Sequence, residues 1–386
     1  MSAPRKAAIV GYGFSDVFRG PGLDVEALTA QSCLAAIADA GVRAADIDGI
    51  FEYQIGAESP KCLYVQRLLG TGDLASYTDI MGSGASGFAG VVAALSAVES
   101  GACEVALVFR SMQQQAGNTG SASGDPVAQA GYSPLHDEIV APYGMFGIIP
   151  ATALRMCRRQ VEYGTRPQDY GYVAINARRW AALNERAVQR NALTMEGYLS
   201  AKLLCDPLRL LDCDYPVSGS CALIITTQQR ARDLRHKPVM VAAHAQATGS
   251  GDWLHGADFL HGGTIRCAER LWRRSGLEPN DIDFAQVYDG FTYSVLTWIE
   301  ALGFCGLGEA GDWIEQGRRI GPGGSLPLNT NGGQLAEGRL HGLAAVAESV
   351  MQLRGDGGSR QVRDAETAVV TVSWGPQCAG MVLICP

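Results

Sequence analysis

The sequence predicts an α/β protein built from two copies of one unit, and three observations support that reading. The order helix, glycine stop, loop, Asp-Ile-Asp, strand occurs twice, once around Gly41 and again around Gly276. Each copy continues into a glycine-rich turn, a small-residue helix and an apolar strand, so the repeat is longer than one chance match. Between Asp281 and Leu296 an apolar strand-like run passes through Tyr288-Asp289-Gly290 into an apolar helix-like segment, as strands and helices alternate in α/β folds.

In the first copy, residues 7–11 read as a strand and Val25–Ala40 as an amphipathic helix that stops at Gly41. The turn Gly82–Gly87 then opens a helix to about Glu99, followed by the strand Val105–Phe109. In the second copy the helix Thr264–Ser275 leads to the strand within Ile282–Val287 and a helix over Phe291–Gly303. The turns Asn331-Gly-Gly333 and Gly338–Gly342, a helix to about Leu353 and the strand Ala368–Val372 complete it. The segment from about 111 to 212 differs in character: Gln113–Ser133 reads as a loop, and Ala151–Glu162 and Gln168–Gln189 read as arginine-bearing helices. We divide the chain into an N-terminal half, 1–225, which includes this insertion, and a C-terminal half, 226–386.

The 386 residues, 47% of them hydrophobic, can bury a substantial core. With 31 basic against 39 acidic residues the net charge is -8, and without a dense basic stripe nucleic acid is not the expected partner. No apolar run reaches the roughly 20 residues that span a bilayer, and no signal-peptide core precedes the first strand, so a cytoplasmic protein without a membrane segment is expected. The eleven cysteines show no Cys-x-x-Cys pair or metal-ligand spacing, so most should be buried apolar groups and no metal is expected. Gly11-Tyr-Gly-Phe14 lacks the third glycine of a dinucleotide site and no Walker loop occurs, which argues against a bound nucleotide cofactor.

Tyr288 and Asp289 fall at the C-terminal end of a strand, where open α/β sheets bind ligands; the alternative is that they form a turn and a helix cap. The glycine-rich helix starts leave backbone N–H groups pointing outward as a potential oxyanion site, or else relieve crowding. Arg155, Arg158, Arg159, Arg178, Arg179 and Arg186 could meet a phosphorylated ligand or form a solvated face. His255 and His261 are spaced wrongly for one helical metal face and read as loop or pocket-lining groups.

These features, with Glu162-Tyr-Gly-Thr-Arg-Pro167, Asn176-Ala-Arg-Arg179, Asn184–Ala187, Asp206–Cys213, Tyr288–Thr292, Asn329–Gly333 and His341-Gly342, give a chain that resembles the thiolase superfamily over nearly its whole length. The resemblance is to the sterol-carrier-protein-x and lipid-transfer-protein branch. It implies a thiolase fold, a duplicated βαβαβ-type core in a five-layer αβαβα sandwich with a loop and helix insertion, and a homodimer.

Four departures bear on chemistry. The nucleophilic Cys-x-x-Gly turn of thiolases corresponds to Gly84-Ala85-Ser86-Gly87, so a glycine holds the nucleophile's place. The His-Asp-Cys-Phe motif corresponds to Tyr288-Asp-Gly-Phe291, and Gly-His-Pro to Gly338-Arg-Leu340. The late catalytic cysteine falls near Ser373-Trp-Gly375, where no cysteine stands. This pattern is similar to that of thiolase-like steroid side-chain-cleaving aldolases, whose Tyr-Asp-x-Phe-Thr motif matches Tyr288–Thr292. A second tyrosine associated with them just before His-Gly is replaced by Arg339-Leu340.

The resemblance implies a retro-aldol lyase that splits a β-hydroxyacyl-CoA, of the steroid side-chain type, into a ketone or aldehyde and propionyl-CoA or acetyl-CoA. Tyr288 would exchange the hydroxyl proton, with His341 lowering its pKa or relaying the proton and Asp289 orienting the turn; the alternative for His341 is a structural residue at a helix start. Backbone N–H groups of Gly84, Ala85 and Ser86 and near Gly375 would hold the enolate oxygen. Arg178, Arg179 and Arg339 are candidates for CoA. No cofactor is implied beyond the CoA thioester substrate. A small OB-fold and zinc-ribbon partner is implied, in a heterotetramer of two chains of each kind. Two rivals remain: an acyltransferase using Ser83, Ser86 or Cys378, and a non-catalytic acyl-CoA or lipid-binding subunit.

Overall fold

The computed structural model describes residues 5–55, 58–82, 84–113, 141–145, 147–249, 256 and 258–385. The expected loop beyond Gln113, Ser83 and His255 lie outside the described residues.

The first half runs β1 (Ala7–Phe14), α1 (Val25–Ala40), β2 (Gly49–Gln54), α2 (Cys62–Leu69), β3 (Ser76–Met81), a 3₁₀ turn over Gly84–Phe88, α3 (Ala89–Ser100) and β4 (Val105–Met112). The insertion supplies α4 (Ile148–Tyr163) and α5 (Pro167–Ala181), after which β5 (Gly219–Thr227) returns to the sheet. The second half runs β6 (Met240–Thr248), α6 (Thr264–Ser275), β7 (Phe284–Gln286), α7 (Thr292–Ala301), α8 (Gly333–Ala336), α9 (Gly342–Arg354), β8 (Thr367–Trp374) and β9 (Gln377–Ile384).

The duplication is visible in the strand order. One sheet is ordered β1-β5-β4-β2-β3, and the other β6-β9-β8-β7. In each, the half's first strand pairs antiparallel with its last, the last pairs antiparallel with the strand after the central helix, and that strand pairs parallel with the one after the Asp-Ile-Asp loop. The first sheet adds β3, parallel to β2, as an edge for which the second sheet has no equivalent.

Three apolar clusters define the layers. Residues of α3 and α9 pack together against one face of each sheet, including Val108, Leu223, Val370 and Met381. Helices α1 and α2 cover the other face of the first sheet, and α5, α6 and α7 cover the other face of the second. The result is a five-layer αβαβα sandwich, as the resemblance implied. A central helix buried all round needs small residues, and Gly90, Ala94, Ala97, Ala344 and Ala347 meet that need. Gly11 and Gly13 press β1 onto α1: a Cβ on Gly13 would overlap the Ser32 carbonyl oxygen. That pair is a packing device between strand and helix.

One helix ends early. The sequence suggests helix from Gln168 to Gln189, yet α5 stops at Ala181. Past that point tertiary partners replace the helical ladder: the Val188 and Gln189 amides donate to the carbonyls of Glu337 and Ala336. The Asn184 side chain bonds to Asn331 and Glu337. Tertiary hydrogen bonds outweigh a modest local propensity here.

Candidate active site

The two central helices begin side by side. His341 is the N-cap of α9, and the turn Gly84–Phe88 opens α3. A Cβ on Gly87 would lie 3.0 Å from His341 Nδ1, and one on Gly342 would lie 3.0 Å from Phe88 Cε1. Two helix N-termini, each with N–H groups that no helical carbonyl can reach, therefore face one small volume. That arrangement favours negative charge on whatever sits between them.

His341 is 3% exposed and has φ 62, a conformation unusual for a non-glycine residue. Such strain persists where surrounding contacts impose it, often at functional sites. Its ring lies 5.6 Å from that of Tyr288, edge-on at 72°, and 5.9 Å from that of Tyr53. Nδ1 has no hydrogen-bond partner among the described residues. Burial, then the positive charges of Arg110 and Arg339, push the imidazole pKa well below its ordinary value, so the ring is neutral at neutral pH.

Tyr288 follows β7, held by its N–H donating to Thr371 Oγ1 at 2.9 Å and its carbonyl accepting from Ser294 Oγ at 2.9 Å. Burial is the largest cause raising its phenol pKa; Asp214 pushes the same way and Arg339 opposes. Asp289, 3% exposed, points away from this cluster into the start of α8, accepting from the Gln334 N–H at 3.0 Å and the Leu335 N–H at 3.4 Å. Gly333, with φ 62, is required there, since a Cβ would overlap an Asp289 oxygen. Burial raises the Asp289 carboxyl to about 7.

Gly84 sits beneath the pair. A Cβ on it would stand 3.0 Å from Ser373 Oγ and 3.8 Å from His341 Nε2. Ser373 reaches this point through its φ of 62. Strand alternation alone would turn it toward the outer helices with its partner across the hairpin, Cys378. Cys378 does face outward: it is buried, its thiol contacts the Ala247 carbonyl, and its pKa is raised well above the ordinary value by Cys267 and burial. It is therefore no nucleophile for this site. Ser86 turns back toward Gly82, where a Cβ would overlap Ser86 Oγ. Gly375, with φ 69, turns its carbonyl to the Gly263 N–H at 2.7 Å.

Of the arginines considered for CoA, Arg339 lies within the site, where its Nε pairs with Asp214 at 3.1 Å. Arg178 and Arg179 lie along α5, donating to the carbonyls of Asn191 and Gly317. Arg155 and Arg159 are buried in the insertion, and Arg159 pairs with Glu300 beside His261. Tyr53, Arg110, Glu58 and Asp214 are site residues that sequence reading missed, and Ser373 was placed only as the neighbourhood of the late catalytic cysteine. Arg110 on β4 bonds Glu58 at 2.6 Å and the Tyr53 carbonyl at 2.9 Å, with its guanidinium over the Tyr53 ring. Their one sequence signal is a run of polar residues, Glu52-Tyr-Gln54 and Arg110-Ser111, at the ends of apolar strands. Among the described residues no group of three or more His, Cys, Asp or Glu could hold a metal ion.

Fold and site together define a thiolase-type protein whose nucleophile position is a glycine. Comparison with known proteins agrees. Residues 245–385 match the family described as Thiolase C-terminal domain-like. The chain is 33% identical to the 17-hydroxy-3-oxo-4-pregnene-20-carboxyl-CoA lyase of Mycobacterium tuberculosis, over 98% of this chain and 99% of that protein. It is 34% identical to the steroid side-chain-cleaving aldolase of Thermomonospora curvata, over 98% of each. The solved structure of the Ltp2-ChsH2(DUF35) aldolase superposes with a TM-score of 0.88 at 32% identity over 98% of each chain. The acetyl-CoA acetyltransferase of Syntrophomonas wolfei shares the fold, with a TM-score of 0.70 at 14% identity over 99% of each chain. The chain thus belongs to the thiolase superfamily, in the family of these thiolase-like carbon–carbon lyases.

Proposed function

We propose that the protein is a retro-aldol lyase acting on a steroid side-chain β-hydroxyacyl-CoA. The observation that carries this reading is Gly84: at the junction of two helix N-termini, beside the His341 imidazole, the position of the thiolase nucleophile has no side chain with which to form an acyl-enzyme. The substrate named for the mycobacterial relative carries its 17-hydroxyl on the carbon β to the thioester carbonyl. Breaking the bond between that β-carbon and the α-carbon gives a ring ketone and propionyl-CoA.

The hydroxyl proton passes to Tyr288 as the phenol passes its own proton to His341. The electron pair of the breaking carbon–carbon bond moves into the thioester, forming an enolate. The N–H groups at Gly84, Ala85 and Ser86 and the turn at Gly375 hold its oxygen, with Asp289 fixing the Tyr288 turn through α8. The imidazolium, a strong acid because its pKa is depressed, returns the proton through Tyr288 to the α-carbon. Burial raises the pKa of Tyr288 and lowers that of His341, so both are neutral at rest and a relay between them leaves no lasting charge.

The working assembly is a homodimer with a small OB-fold and zinc-ribbon partner, two chains of each, in the cytoplasm. The partner reading is supported by the ChsH2(DUF35) component of the aldolase structure that this chain resembles. Supporting the dimer, β3 is the edge strand of its sheet among the described residues and exposes Tyr77 and Met81. Arg178 and Arg179 remain candidates for the CoA phosphates.

The test is to incubate the protein, alone and with its partner, with a β-hydroxyacyl-CoA bearing a steroid side chain and to follow short acyl-CoA by mass spectrometry. Release of propionyl-CoA without added CoA is expected. Product that appears only with added CoA overturns the lyase reading in favour of acyl transfer.

A further inference from the structure

The segment Cys213-Asp-Tyr215 is tied to both loops that carry the relay. Cys213 bridges to Phe291, and the Asp214 N–H donates to the Gly290 carbonyl at 3.0 Å, two residues from Tyr288. The Tyr215 carbonyl accepts from the Arg339 N–H at 2.8 Å, two residues before His341. The Asp214 carboxylate, fully buried, closes this strap by pairing with the Arg339 guanidinium at 3.1 Å. The Arg339 side chain keeps 16% exposure while the Asp214 carboxylate is wholly buried, and an ion pair with a buried member adds little net stability, so a pair kept here points to a role beyond stability.

We propose that the Arg339–Asp214 ion pair positions the proton relay: it fixes the Tyr288 turn against the His341 turn and sets which of the two side chains holds the proton. The proposal rests on the relay assigned above. The charges facing His341 are Arg110 from β4 and Arg339 from its own turn, with the phenols of Tyr53 and Tyr288 against its ring. Those facing Tyr288 are Asp214, Arg339, Tyr53 and Asp289. Glu58 faces both Arg110 and Arg339. Among the described residues Arg339 is the charge that acts on both relay members, favouring a neutral His341 and an ionisable Tyr288. Asp214 acts on Tyr288 with the opposite sign. This division makes the two residues separable.

The test compares Arg339→Gln, Arg339→Lys and Asp214→Asn in the full chain, read first by NMR titration of the His341 ring, with His341→Asn assigning its signal. That readout needs no turnover, so it stands even if no short acyl-CoA is released and the lyase reading fails. Arg339→Gln should raise the His341 pKa on the order of one unit, while Arg339→Lys, which keeps the charge, should leave it near wild type. In turnover, the acidic limb of the kcat/KM profile should move up with Arg339→Gln, and the alkaline limb should move down with Asp214→Asn. A merely structural pair would lower kcat/KM at every pH without moving either limb. An unmoved His341 titration in folded Arg339→Gln overturns the proposal. Should that variant not fold, a shift in Arg339→Lys as large as one pH unit, or an unmoved alkaline limb in Asp214→Asn, overturns it instead.

Discussion

Gly84→Ala tests the site most directly. The new methyl would stand 3.0 Å from Ser373 Oγ and 3.3 Å from Ser373 Cβ, closer than ordinary van der Waals contact, in the space assigned to the reacting thioester. Gly84 is not among the residues with positive φ, so alanine fits its backbone without strain. Restricting the unfolded chain stabilises by ~0.4–1 kcal/mol, and the crowding at Ser373 offsets part of it, so the melting temperature should move little. Catalysis should suffer far more, because displacing a reacting group by about 1 Å costs roughly 100-fold in rate, or about 2.7 kcal/mol. The assay is the initial rate of propionyl-CoA release from the steroid thioester. Ser373→Gly removes both close contacts and places glycine where φ is already 62, so the double variant should recover about tenfold over Gly84→Ala. A Gly84→Ala enzyme within about twofold of wild type in kcat/KM would refute the placement of the thioester above Gly84.

Tyr288→Phe keeps the ring against His341 and removes the relay oxygen, so turnover should fall roughly 10²–10⁴-fold with an unchanged circular dichroism spectrum; near wild-type turnover would remove Tyr288 from the mechanism. Asp289 has its pKa raised from 3.8 to about 7 by burial. Between those values the folded protein keeps a proton that the unfolded chain releases, so this group lowers stability as pH rises through that window. Asp289→Asn should flatten that part of the curve of melting temperature against pH, and parallel curves for the two proteins would contradict the assignment. Met81→Lys on the exposed edge strand should convert the dimer to monomer in sedimentation measurements, and an unaltered dimer would show that β3 is not the interface.

The parts of the molecule set by local pattern were readable from residues alone. Helices Val25–Ala40 and Thr264–Ser275 end where Gly41 and Gly276 take left-handed conformations, and the sequence placed both stops. The duplicated order was readable because each half carries the same punctuation. What was hidden depends on contacts distant in sequence. Tyr53 and His341 are separated by most of the chain, and nothing in either neighbourhood marks them as partners. The pairing of Arg339 with Asp214 could not be read because Asp214 lies in a different segment. The orientation of Ser373, which the sequence placed near the position of the late catalytic cysteine, was hidden for another reason. Its φ of 62 reverses the strand's alternation, a rule that sequence reading must assume.

The architecture also explains how a fold used for acyl transfer can serve carbon–carbon cleavage. Acyl transfer and retro-aldol chemistry both place negative charge on the thioester oxygen, so the paired helix N-termini that duplication brings together would suit either. They differ in what stands beside that oxygen. A nucleophile must be within bonding distance of the carbonyl carbon, whereas cleavage needs room for a tertiary alcohol and a group to move its proton. On the proposed mechanism Gly84 leaves that room, and Tyr288 with a neutral His341 would move the proton. On the proposed mechanism the substitutions at Gly84, Tyr288 and Arg339 would form one coordinated change that exchanges the covalent step of a thiolase for a proton relay.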